Sequence, residues 1–264
     1  MRNAPQRAAR ETTMHAPLTE ETRSKLAAVS TATLTTALFK HGLRNCFIQD
    51  VHPVGGLGRG GEEAGASRPP NMVGPAYTMR YIPAREDLDH IGVFSDRSHP
   101  QRKGVEECPA GHVFVIDSRG DARAASAGAI LLARLWRRGC AGIVTDGGFR
   151  DSPELADMNF PAYHQRPSAP TNLTLHQAID IDVPIGCGDV AVFPGDVIVG
   201  DAEGVFVIPA HLADEIASEA VEMTAFEDFV AEEVLKGRPI IGLYPPTQQQ
   251  SRDDFATWRQ ANHR

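Results

Sequence analysis

Between His112 and Asp146 the chain reads strand, helix, strand, and that order leaves few folds open. His112–Asp117 is a run of apolar residues behind the turn Pro109-Ala110-Gly111. Ser126–Arg138 places Ile130, Leu131, Leu135 and Trp136 on one side of a helix that Gly139 stops. Ala141–Asp146 is a second short apolar strand. Two strands joined through a helix within about 35 residues lie parallel, because a hairpin cannot make that connection. The pattern predicts an α/β fold. Gly147-Gly148 then predicts a tight turn, and Ser152-Pro153 opens a further helix, with proline at a position where its missing N–H costs nothing.

The flanks extend this unit. Thr19, followed by Glu20 and Glu21, opens a helix running to about Val29, and Ser30 caps a second one that Gly42 ends. Val73–Ile82 reads as a strand. Val183–Pro209 reads as several short strands, and Ala210 to Lys236 as a long amphipathic helix with an acidic exposed face. Residues 1–16 are polar and irregular, with Met1 and Met14 both candidate starts, and the residues after Pro245 are polar again. The expected organisation is a flexible tail over 1–16, one α/β domain over 17–245, and a polar tail over 246–264. Gly56, Gly58 and Gly61 match a dinucleotide-binding glycine pattern, but Glu62, Glu63 and a double proline follow where an apolar helix is required. That segment reads as a surface loop.

Composition excludes several functions. With 26 basic and 34 acidic side chains the formal net charge is −8, which argues against nucleic acid as a partner. Cys46, Cys108, Cys140 and Cys187 show no paired metal-ligand spacing and read as buried thiols. No apolar run reaches the roughly 18 residues of a membrane span, and residues 1–16 lack the apolar stretch of a secretion signal. A cytoplasmic location is the expectation.

The chemistry concentrates after the second strand of the crossover. Arg150 and Asp151 follow Gly147-Gly148 at the C-terminal end of a parallel strand, the edge where open α/β sheets bind ligands. Arg150 offers a planar fork to a carboxylate, and Asp151 hard oxygens to Mg²⁺ or Mn²⁺. Glu154, one turn on, is placed to hold a metal-bound water. An ion pair around a helix cap would use the same residues, and the residues alone leave both readings open.

The run TDGGFRDSPE (145–154) resembles the signature of the RraA-like family, which contains the regulator of ribonuclease E activity and 4-hydroxy-4-methyl-2-oxoglutarate aldolase. The resemblance continues through GPAYTMRY (74–81), GHVFVID (111–117), AGAILL before the crossover helix and PGDVIVGDAEGVFVIP (194–209), and spans roughly Leu26 to Lys236. It implies a compact αββαβ sandwich assembled as a homotrimer or hexamer, with the site near the subunit contact. It also implies that Asp151 binds the metal while Arg150 holds a 2-oxo acid and stabilises its enolate. Gly128, Ala129 and Ile130 would contact the substrate, and Glu203 is a candidate to reach a neighbouring subunit's metal. Both a cation and a guanidinium stabilise the enolate of pyruvate that carbon–carbon cleavage leaves.

One position departs from the pattern. The aldolases carry an acidic residue twenty-one positions before the arginine, where this chain has Ala129, and alanine transfers no proton. The leading expectation is a Mg²⁺- or Mn²⁺-dependent lyase that cleaves a small 2-oxo acid by retro-aldol reaction or decarboxylation. The alternatives are a metal-dependent hydrolase or hydratase of a sugar-derived keto acid, and a non-catalytic regulator resembling the ribonuclease E inhibitor. Arg85, Glu86, Asp87, Asp89 and His90 read as a solvated loop, His164 and His176 as structural, and Asp196 and Asp201 as turn residues.

Overall fold

The computed structural model describes residues 18–55 and 71–264, so the glycine pattern at 56–61 and the tail over 1–16 lie outside the described residues. Helices α1 (Glu20–Ala28) and α2 (Thr31–Lys40) begin where the sequence placed them, with Thr19 and Ser30 each accepting a backbone N–H. Short strands β1 (Phe47–Ile48) and β2 (His52–Pro53) precede the long β3 (Met72–Pro83). After a 3-10 turn at Ile91–Ser95 come α3 (Pro100–Glu107), β4 (Val113–Asp117), β5 (Ala125–Ala127), α4 (Ala129–Arg137) and β6 (Gly142–Thr145). Next are β7 (Gly148–Phe149), α5 (Ser152–Ala156), β8 (Ala162–His164), β9 (Arg166–Pro167) and β10 (His176–Ile181). Strands β11 (Ile185–Cys187), β12 (Val190–Val192), β13 (Val197–Gly200) and β14 (Val205–Ile208) lead to α6 (Ala213–Leu235) and α7 (Gln249–Asn262).

The α/β class holds. The main sheet runs β1-β14-β13-β3-β4-β6-β8-β2, and its centre, β3-β4-β6-β8, is parallel. One edge of β3 is shared: Met72–Pro75 pair with β13 and Met79–Pro83 with β10. Three of the parallel strands continue past the main sheet. After β4, β6 and β8 the chain re-forms as β5, β7 and β9, a small parallel sheet in the order β5-β7-β9.

Three apolar layers hold this frame. Leu26, Leu34, Leu38, Ile216 and Ala220 of α1, α2 and α6 pack on Val197, Val199 and Phe206. Val105, Leu132 and Leu135 of α3 and α4 pack on Tyr81, Phe114 and Ile116. The β11–β12 hairpin sets Ile185, Val190 and Val192 against Val115, Val144 and Ile198. Each fully buried side chain of this size contributes about 1.5–3 kcal/mol. The four cysteines are buried and unpaired.

Four local expectations need correcting. The crossover helix starts at Ala129, because residues 125–127 extend to pair with β7. It buries Ala129, Leu132 and Leu135, while Ile130 is 85% and Trp136 45% exposed. AILLARLW is apolar nearly all round, so contact with the sheet decides the face, not periodicity. Gly147 and Gly148 make no left-handed turn: a Cβ on Gly147 would sit 2.7 Å from Ser118 Cβ and Ser126 Oγ, and one on Gly148 2.7 Å from Ser168 Cβ. Their role is close passage beside neighbouring strands. Finally, the polar segment after Pro245 contains α7. Its Phe255 and Trp258, three residues apart, dock on Phe226 and Phe229 of α6, and Arg259 bonds Glu222 through both arms at 2.6 Å.

Candidate active site

The small sheet explains why Gly128 meets Arg150 and Asp151. Ala127 stands opposite Phe149 in the parallel β5–β7 pair, so the residues that follow each strand emerge side by side. The Arg150 N–H donates to the Ala127 carbonyl at 3.1 Å, and the Ala129 N–H donates to Asp151 Oδ2 at 3.1 Å. A Cβ on Gly128 would lie 2.6 Å from Arg150 Cγ and 2.7 Å from Asp151 Oδ2. Only glycine leaves room for both side chains.

Asp151 takes a left-handed backbone conformation, φ 60°, at the cap position of α5. An L-residue pays roughly 1 kcal/mol for this conformation, aspartate being among the more tolerant. Its carboxylate does not cap α5; it reaches α4 instead. Arg150 Nε donates to Asp151 Oδ1 at 3.4 Å, and its two terminal nitrogens have no protein partner among the described residues. Gly128 caps α4 without a side chain; the Ala129 N–H goes to Asp151 and the Leu131 N–H turns back to the Gly128 carbonyl at 3.0 Å, so the positive end of the helix dipole lies beside Arg150.

Arg150, Asp151 and Gly128 line an open cavity of about 290 Å³ with Ile91, Phe94, Gln101, Arg102, Ala125, Ala127, Ile130, Leu131, Thr171 and Asn172. Asp151 is the one carboxylate among them. The structure thus brings Arg150, Asp151, Gly128 and Ile130 to one cavity, with the Ala129 N–H on the Asp151 carboxylate. Glu154 is exposed on α5 and is not part of the lining. Glu203 lies at the other end of the chain's own sheet. It follows Gly200, which pairs with Met72 at the start of β3, whereas Arg150 follows strands parallel to β3 at their C-terminal ends. Within one chain Glu203 and Asp151 do not meet.

Sequence reasoning missed Gln101, Arg102 and Asn172. Arg102 stands among Arg97 and Lys103 in what looks like a solvated stretch, and Asn172 follows two prolines, so nothing local marks either. The charged patch at 85–90 is solvated as expected, with Arg85 bonded to both Asp87 oxygens. His176 is fully buried and stacks on Tyr81. His164 stacks on Phe149 and accepts its N–H at 3.3 Å; burial, helped by His52, pushes its pKa down to about 4. Asp146, directly before Gly147, accepts N–H groups from Ser118, Gly120 and Gly188, and burial raises its carboxyl above the usual range. It ties together the loops behind the site.

A divalent cation fits this donor set in one way only. Among the described residues no three His, Cys, Asp or Glu side chains cluster as a cage. Mg²⁺ needs none, since it commonly takes one or two carboxylates and fills its octahedron with water and substrate oxygens. Asp151 has one N–H on Oδ2 and a long contact on Oδ1, so lone pairs remain for such an ion.

The chain resembles known proteins in sequence and in fold. The profile of the RraA-like family, aldolase/RraA, matches residues 31–207. A protein of Halalkalibacterium halodurans, provisionally named 4-hydroxy-4-methyl-2-oxoglutarate aldolase, is 34% identical over 157 residues, covering 60% of this chain and 69% of the relative. The 4-hydroxy-4-methyl-2-oxoglutarate aldolase of Thermus thermophilus is 32% identical over 119 residues, covering 45% of this chain and 71% of the relative. The crystal structure of Streptomyces coelicolor RraAS2, an unusual member of the RNase ES inhibitor RraA protein family, superposes with a TM-score of 0.68 at 26% identity. That match covers 81% of this chain and 97% of RraAS2. With its profile matched over most of the described residues, the chain belongs to the RraA-like family.

Proposed function

We propose that the chain is a Mg²⁺- or Mn²⁺-dependent carbon–carbon lyase acting on a small 2-oxo acid and releasing pyruvate. The observation that carries this reading is the convergence of Asp151, the Arg150 guanidinium and the first turn of α4 on one cavity. When bound, the cation supplies a Lewis acid for the 2-oxo group. The Arg150 fork binds the carboxylate beside that group and stabilises the enolate charge that forms as the bond breaks. The N–H groups at the start of α4 add fixed positive potential at the same place. The Ala129 N–H holds Asp151 in position.

The proton inventory separates the two lyase reactions. Both reactions leave a pyruvate enolate that must take a proton from water; retro-aldol cleavage must in addition take a proton from a hydroxyl, whereas decarboxylation loses CO₂ and needs no base for that step. Among the residues lining the cavity only Asp151 is a carboxylate, and Ala129 stands where the aldolases keep theirs. This favours decarboxylation. The same alanine supports the second reading, a protein-binding regulator without turnover, and the fold likeness to RraAS2 supports it too.

The test is pyruvate release from a panel of 2-oxo acids with Mg²⁺ and with a chelator, for the natural chain and for Ala129→Asp. Mg²⁺-dependent pyruvate from oxaloacetate, together with aldol cleavage that rises in Ala129→Asp, supports the lyase. No turnover by either protein leaves the regulator.

A further inference from the structure

Helices α3 and α4 both begin at the cavity and both lead to a cysteine. Gln101 and Arg102 in the first turn of α3, and Gly128 at the cap of α4, belong to the cavity lining. At the far ends Cys108 caps α3, and Cys140 follows the left-handed Gly139 that stops α4. The backbone brings these two cysteines together. The Gly111 N–H donates to the Gly139 carbonyl and the Ala141 N–H to the His112 carbonyl, each at 2.8 Å. Both sulfurs lie against one oxygen, the Pro109 carbonyl, Cys108 Sγ at 3.9 Å and Cys140 Sγ at 3.8 Å. Cys140 Sγ is also 3.9 Å from the Cys108 carbonyl oxygen. The other two cysteines sit elsewhere: Cys187 bonds the Ile116 carbonyl, and Cys46 packs in the apolar layer under α1, α2 and α6.

The two thiols also hydrogen-bond to each other. That bond and then burial push the Cys108 thiol up, while the same bond, helped by the Arg138 charge, draws the Cys140 thiol below its ordinary value. Arg138 stands beside the pair, with Nη2 donating to the Cys108 carbonyl at 3.4 Å. A cysteine ionised next to a guanidinium is the nucleophile of thiol chemistry. Cys140 keeps 7% exposure, and Gly139 and Ala110 beside it are on the surface, so a small oxidant has little protein to cross. Cys108 has no exposure and is reached only through Cys140.

We infer that Cys108 and Cys140 form an oxidation site, at which hydrogen peroxide converts the two thiols into a disulfide that fastens the far end of α3 to the start of β6. The Cys140 thiolate attacks one peroxide oxygen. The O–O bond breaks, hydroxide leaves and takes a proton from solvent, and Cys140 becomes a sulfenic acid. The Cys108 sulfur then attacks the Cys140 sulfur, the S–O bond breaks, and the hydroxyl leaves with the Cys108 proton as water. Two thiols and one peroxide give one disulfide and two waters, with two electrons passing from sulfur to oxygen. Arg134 already bonds Glu106 through both arms, tying α4 to α3 along their length. The disulfide adds a covalent clamp at the end of this helix pair opposite the cavity. In the unfolded chain it closes a loop over residues 108–140, so the oxidised protein is the more stable one.

The experiment treats the full chain with hydrogen peroxide at neutral pH, unfolds it in excess N-ethylmaleimide and locates the labels by peptide mass mapping. The untreated chain takes a label on each of its four cysteines. The oxidised chain should take two, on Cys46 and Cys187, and its non-reduced digest should contain one peptide pair joining Cys108 to Cys140. Dithiothreitol should restore all four labels. Cys140→Ser should leave Cys108 fully labelled after peroxide, since the attacking thiol is gone. The label count is read on the natural chain, so the result does not depend on any variant folding. Without reductant the oxidised chain should melt at least about 5 °C above the reduced one. Four labels after peroxide, sulfinic or sulfonic acid on Cys140 in place of the linked pair, or a disulfide joining two chains on a non-reducing gel each overturns the site. An oxidised chain that melts no higher than the reduced one overturns the clamp. These readouts are independent of what the Arg150–Asp151 cavity binds.

Discussion

Gly128→Ala is the smallest change that tests how the site is built. The new methyl would meet Arg150 Cγ at 2.6 Å and Asp151 Oδ2 at 2.7 Å, while ordinary contacts begin at 3.4 Å. One side or the other must move by about 0.8 Å. Cγ is near the root of the arginine and Oδ2 ends a short side chain, so neither can simply swing away. The Ala129 N–H···Oδ2 bond at 3.1 Å is the first casualty. Stability should fall by only about 1–2 kcal/mol, because the crowding is at the cavity wall and not in the core. Function should fall far more: a displacement near 1 Å in a positioning group costs about a hundredfold in kcat/KM. Gly186→Ala is the control, since nothing lies within 4 Å of its added Cβ and its φ is not left-handed. The assay is Mg²⁺-dependent pyruvate release together with oxalate affinity and thermal melting. A Gly128→Ala protein with natural kinetics and natural oxalate affinity refutes the claim that the β5 and β7 ends meet to make the site.

Arg150→Lys keeps the charge but loses the planar fork, and should lose about a hundredfold in kcat/KM; near-natural kinetics would reduce Arg150 to a source of positive potential. The assembly proposed from the family is a homotrimer or hexamer, and light scattering that gives a stable monomer at micromolar concentration would contradict it. For pH, burial holds His164 at a pKa of about 4 against 6.5 when unfolded, so the unfolded chain takes up its proton first. The associated stability is complete above pH 6.5 and falls as the pH drops toward 4, by up to about 1.4 kcal/mol per pH unit. His164→Asn, which can still accept the Phe149 N–H, should flatten this slope in urea melts; an unchanged slope would remove His164 as its cause.

The crossover, the helix caps at Thr19 and Ser30 and the Arg150–Asp151 pair were legible because each is written in local chemistry: periodicity, a capping hydroxyl, a charged pair after glycines. What was not legible depends on distant partners. Ser126-Ala127 looks like the start of a helix until Gly148-Phe149 arrives to pair with the strand that contains it. Gly147 and Gly148 look like a turn until Ser118, Ser126 and Ser168 crowd them. The polar stretch after Pro245 becomes a helix through two aromatic residues that find α6. The cavity lining is the extreme case. Arg102 and Asn172 are about 70 positions apart, and only the folded chain puts both in one cavity lining with Arg150.

The account stands most directly on Asp151, and Mg²⁺ titration in the presence of oxalate measures it. The natural chain should bind the two cooperatively, each raising the affinity for the other. Asp151→Asn removes the charge with little change in shape and should lower Mg²⁺ affinity by tenfold or more while the protein stays folded. Equal Mg²⁺ affinity in the two proteins would contradict the placement of the cation at Asp151.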